Sequence, residues 1–122
     1  MISGITQQSV DTPDGAEALV LRPHGELDLA SIASLESAVM SALHAAGPQP
    51  GLIVDLSEVS VLHPVVLGVL LDARRRCRKA GGALVLVVTA PEVTTVLGET
   101  GVASLCEVTA ELSAAVQRLS QR

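Results

Sequence analysis

The sequence predicts an α/β fold: a mostly parallel sheet with helices against it, prefaced by an antiparallel pair of strands. Three observations carry this. Short apolar runs, "GLIVDLSEV" and "ALVLVV", alternate with stretches whose apolar residues recur every three or four positions. The start of the chain instead holds two extended runs separated by "DTPDG" at 11–15, a turn signal from Pro and Asp-Gly. The length, 122 residues, suits one core, so 1–122 is expected to form a single domain.

Taken in order, residues 1–17 are polar, with a first strand around 3–10, and "EALVLRPHG" supplies its antiparallel partner. In "LASIASLESAVMSALHAAG", Ile32, Leu35, Val39, Leu43 and Ala46 mark an amphipathic helix that closes at Gly47 and Pro48. "GLIVDLSEV" reads as a buried strand. Pro64 to Lys79 reads as a helix with apolar residues around more than half its circumference, which requires burial on more than one side. "ALVLVV" is the next strand. "PEVTTVLGETG" is a short helix opened by Pro91 and stopped near Gly101, "SLCEV" a final strand, and "AELSAAVQRLSQ" a C-terminal helix.

Composition narrows the function. Hydrophobic residues make up 48% of the chain without one Phe, Tyr or Trp, so the core falls to aliphatic side chains, among them 18 Leu and 17 Val. Each is worth roughly 1.5 to 3 kcal/mol when fully buried. A net charge of -5 and the lack of aromatic stacking platforms argue against direct nucleic-acid binding. The longest unbroken apolar stretches fall short of the roughly 20 residues that span a bilayer, so no membrane insertion is expected. "MISGITQQSVDTPDG" lacks a basic region followed by an apolar core, which points to a cytoplasmic protein. Cys77 and Cys106 form no CxxC pair, and His24, His44 and His63 have no ligand spacing, so neither metal nor cofactor is expected; the thiols read as buried in a reducing compartment.

The charged and nucleophilic residues support binding over catalysis. Arg74, Arg75, Arg76, Arg78 and Lys79 occupy the last turns of a helix, where cations favour the negative end of the dipole, and Asp72 stands at pairing distance from Arg75 or Arg76. This reads as a solvated face. Cys77 shares a helical face with Val66, Leu70 and Ala73, a core position. Strand ends offer Asp28, Asp55, Ser57, Ser60, His63 and Thr89, with His63 the one acid/base group near the central turn. No nucleophile and base can be paired, and a His before Pro64 reads as a turn or cap residue. "AGG" at 80–82 follows a helix and reads as its cap, not a phosphate loop. An enzyme is not expected.

Three segments together resemble one family. "GELDLASIASLESAV", "LIVDLSEVSVLHPVVLGVLLDARRRCRKAGGALVLV" and "PEVTTVLGETGVASLCEV" look like the STAS domain of bacterial anti-sigma factor antagonists, strongest over 18–120. The resemblance implies a mixed sheet of about five strands with about four helices, and a binding module that frees a sigma factor by sequestering an anti-sigma factor of the serine-kinase type. It also implies a switch, in which phosphorylation of one Ser within Asp-Ser-Ser-Gly-Leu prevents binding. Aligned through the following Leu-rich helix, this chain has His63, Pro64, Val65, Val66 and Leu67 there.

Pro64 occupies the phosphoacceptor position and has no hydroxyl, yet suits a first helical position because its fixed φ matches and its missing N–H had no intrahelical partner. Val66 stands where the family has Gly and is expected to add bulk to the contact surface. His63 replaces a capping Asp with an imidazole, a group type that titrates near about pH 6.5. Asp28 matches the family's Gly-Glu-Leu-Asp element, which with Glu26 is expected on the partner face. Thr94 and Thr95 replace commonly basic positions, and Ser57 and Ser60 read as strand and turn caps. The leading expectation is a non-phosphorylatable antagonist, a monomer or weak dimer. The alternatives are an accessory subunit of another assembly, such as a phospholipid-transport ATPase, suggested by the apolar Val65 and Val66, and a redox-responsive domain, suggested by Cys77 and Cys106.

Overall fold

The computed structural model describes residues 2–120. Strands β1 (Ile2–Asp11) and β2 (Glu17–Leu27) pair antiparallel. Their connection is held by Thr12, whose hydroxyl bonds the Asp14 carboxylate and the Ala16 carbonyl. A 3-10 turn at Leu29–Ser31 leads into helix α1 (Ile32–Ala46), then strands β3 (Gly51–Asp55) and β4 (Val59–Leu62). A second 3-10 turn (Pro64–Val66) opens helix α2 (Leu67–Lys79). Strand β5 (Ala83–Val87), helices α3 (Pro91–Glu99) and α4 (Val102–Leu105), strand β6 (Glu107–Thr109) and helix α5 (Leu112–Ser120) complete the order.

The sheet runs β1-β2-β3-β5-β6, parallel from β2 onward. Strand β2 is long enough to serve two neighbours on one side: Leu19–Leu21 pair with β3, and Gly25–Leu27 pair with β4. Both faces are covered, as a parallel sheet requires. Leu19, Leu21, Leu52, Val54, Leu84 and Leu86 join the core with Leu35, Val39, Leu70 and Cys77 of α1 and α2. Ala18, Val20, Ile53, Val85 and Val87 point the other way, onto Ala115 and Leu119 of α5. The period-2 alternation of these strands thus sorts one apolar run into two cores.

Two elements differ from the sequence expectation. "GLIVDLSEV" is not one strand, because the Asp55 carboxylate turns back to accept the Ser57 amide at 2.9 Å and Arg22 Nε at 2.9 Å. That side-chain bond competes with the ladder and breaks the strand, and the chain re-enters the sheet as β4. Residues 104–105 belong to a helical turn and not to the last strand, with Cys106 N–H returning to the Val102 carbonyl at 3.0 Å. Leu29–Ala46 also reaches a mean hydropathy of 1.3 over 18 residues, long and apolar enough by composition to cross a membrane. Contiguous apolar runs did not reveal this, since Ser and Glu36 interrupt it; here Leu35, Val39 and Ala42 seat the helix on the sheet.

Candidate functional site

Because β2 and β4 run parallel, their C-terminal ends open at the same edge, with Leu27 opposite Leu62 and the His63 amide donating to the Leu27 carbonyl at 2.8 Å. Each strand then enters its 3-10 turn, and the two turns touch. The expected site residues meet here: Glu26 and Asp28 from one strand end, His63, Pro64 and Val65 from the other.

Local capping holds both turns. The Asp28 amide donates to Ser31 Oγ at 3.1 Å, and the buried Ser31 hydroxyl lies 3.1 Å from both Asp28 Oδ1 and the Glu26 carbonyl, either of which accepts its proton. This reciprocal pairing satisfies groups that would be orphaned at a helix start. At the second turn the Val65 amide donates to His63 Nδ1 at 3.2 Å, so the imidazole does the capping work of an Asp, and Pro64 takes the first position. His63 is therefore a cap, as the sequence suggested.

A bulge shapes what remains exposed. Gly25 pairs with Val59 and Glu26 with Val61, leaving Ser60 unpaired on β4. Gly25 sits at φ 93°, a conformation a side chain would strain, beside this irregularity. The extra residue shifts the alternation, so Val59 and Leu62 are buried while Ser60 and Val61 face out. Val61 is 49% exposed, Val65 41% and Leu29 72%, so apolar side chains reach solvent at both strand ends, with Glu26 opposite Val61 in the ladder and Asp28 and His63 at the starts of the two turns. Sequence reading missed Leu29 and Val61. Leu29 follows Asp28 inside the same motif and was legible there; Val61 was not, because strict alternation with Val59 turns it inward.

Two expectations need correction. Val66 is fully buried and Leu67 nearly so, both in the main core, and neither adds bulk to a contact surface. The valine fills space beneath the turn because residue 66 faces the sheet. Only Val65 of the pair remains to argue for an unusually apolar face. Helix α3 lies against β4, and its Thr94 and Thr95 hydroxyls donate back to the Ala90 and Pro91 carbonyls at 3.2 and 2.9 Å.

The other candidate groups are structural. Asp55 is held by Ser57 and Arg22 away from the turns; burial raises its carboxyl, but the hydrogen bonds from Ser57 and from Arg22, with its charge, bring it net below the ordinary value. Asp72 binds both Arg75 at 2.5 Å and Arg76 at 2.8 Å. Cys77 and Cys106 are both buried, and burial pushes the Cys106 thiol up, against the nearby Arg74 charge. Among the described residues no three His, Cys, Asp or Glu converge as a metal-binding group. With the Asp28 and His63 side chains committed to capping, the face offers apolar contact area with an acidic border, suited to recognition.

The STAS domain family model matches residues 7–116. No curated protein sequence matches the chain. Similar solved structures include an anti-sigma factor antagonist from Mycobacterium paratuberculosis, 24% identical, covering 96% of this chain and 95% of that one at a TM-score of 0.79. The Bacillus anti-sigma factor antagonist SpoIIAA in its unphosphorylated form is 18% identical, covers 98% of each chain and gives 0.76. An anti-sigma-factor antagonist domain protein from Planctomyces limnophilus is 13% identical, covering 93% and 97%, at 0.73. At these identities the likeness is one of fold.

Proposed function

The chain belongs to the STAS domain family, and from that membership we propose that it acts in the cytoplasm, as a single domain and a monomer or weak dimer, by binding an anti-sigma factor of the serine-kinase type. The observation that carries the reading is the pair of neighbouring, side-chain-capped turns at the ends of β2 and β4, where Leu29 and Val65 of the turns and Val61 of β4 are exposed. Apolar anchors inside a polar border are what a protein partner reads. Pro64 is exposed and has no side-chain hydroxyl to phosphorylate, so the association is not reversed there by phosphate. Control falls to the amounts of the two proteins.

The test is affinity capture from native lysate with the wild-type chain and with Leu29→Asp. Recovery of an anti-sigma factor by the first and not the second supports the reading. Recovery of a transport ATPase subunit instead, lost with the same substitution, would assign this face to the alternative assembly.

A further inference from the structure

The basic run on α2 is solvated, as expected, with Arg75, Arg76, Arg78 and Lys79 exposed and Arg74 half-buried, but it divides by what its members face. Arg75 and Arg76 both engage Asp72. Arg74 and Arg78, one turn apart, instead line a hollow of about 490 Å³ between the end of α2, the start of β5, and the α4–β6 corner. We propose that this hollow binds a small amphipathic anion, a phosphate or carboxylate head on an apolar body.

Charge, shape and lining agree. A guanidinium presents a donor fork suited to a planar or tetrahedral oxyanion, and Arg74 and Arg78 bring two of them to the hollow. The nearby carboxylates are already engaged: Asp72 holds Arg75 and Arg76, and Glu107, on the hollow's wall, pairs with Arg118 of α5. Arg74 is half-buried and lines the hollow together with Cys106. The chain carries -5 overall, yet five of its eight Lys and Arg residues stand on these turns, a local field that attracts anions to an otherwise acidic molecule. Leu84, Leu105 and Val108 provide apolar lining, with Leu105 53% exposed, and the volume falls in the range of small-molecule sites. By the rise of its 13 residues, α2 sets this hollow about 20 Å from the Leu29–Val65 face, leaving both free to be occupied together.

Phenyl phosphate titrated into the isotope-labelled full chain, followed by amide NMR, tests the proposal. Saturable shifts at Ser104–Val108 are expected, weakened at least about tenfold in Arg74→Gln and in Arg78→Gln and within about twofold of wild type in Arg75→Gln. Unchanged spectra elsewhere identify variants that keep the fold. Equal weakening by Arg75→Gln would reduce the effect to diffuse charge and overturn the site, as would absence of saturation by about 10 mM. Inorganic phosphate binding as tightly as phenyl phosphate would overturn the role given to the apolar lining.

Discussion

The Val65 amide donates to His63 Nδ1 at 3.2 Å, so the turn that presents Pro64 and Val65 is capped by the imidazole of the residue before it. His63→Ala is expected to cost about 1 kcal/mol, the usual worth of such a cap, and His63→Asp to recover most of it. Urea midpoints of the two variants check this; equal losses would show that His63 acts other than as an acceptor.

The Arg22–Asp55 pair ties β2 to β3, while the other oxygen of the same carboxylate accepts the Ser57 amide that ends the strand. Since the folded Asp55 carboxyl lies below its ordinary value, its stabilisation is present above the ordinary carboxylate range and lost as pH falls through the folded value. Stability measured from about pH 7 to about pH 3 should therefore fall less steeply in Asp55→Asn than in the wild type. At neutral pH, Arg22→Ala should cost about 1.5 to 3 kcal/mol, because the nearly buried carboxylate loses a charged donor.

Glycines in different settings should respond oppositely. A Cβ on Gly82 would stand 1.9 Å from the Pro50 carbonyl oxygen, a backbone atom that cannot move aside while Ala83 N–H donates to it at 3.0 Å. Gly82→Ala should destabilise by at least about 3 kcal/mol or prevent folding. Gly98, inside α3 with nothing within 4 Å of an added Cβ, should gain about 0.5 to 1 kcal/mol as Ala. Thermal melts of the two variants distinguish them.

These energetics bear on how much of the molecule the sequence disclosed. Helices and buried strands were legible because their periodicities are strong, and the family motif located both turns. Strand β4 was hidden, since the signal that ends β3 is one side-chain bond between Asp55 and Ser57 that no apolar pattern encodes. The same bulge that starts β4 conceals Val61, and the inward turn of Val66 conceals a core residue in what reads as surface. The division of the arginines was only half legible: the Asp72 spacing foretold its pairs, but the hollow facing Arg74 and Arg78 depends on the distant α4–β6 corner.

Exposed residues of the candidate face should separate binding from folding. Leu29→Asp and Val65→Asp each should weaken partner binding at least about tenfold, while shifting stability by no more than about 0.5 kcal/mol, as surface substitutions do. Calorimetric titration beside a urea melt measures both quantities on each variant.

The proposed partner face carries Pro64 where a phosphorylatable serine would be needed for a switch. The direct measurement is the affinity of the purified chain for a serine-kinase-type anti-sigma factor encoded beside it, before and after incubation with MgATP, with intact-mass analysis of the recovered chain. The prediction is a stable complex, an affinity unchanged by ATP and no added phosphoryl group in the wild type, whereas Pro64→Ser becomes phosphorylated and dissociates. Failure of the wild type to bind, or its phosphorylation and release on adding ATP, would contradict the account.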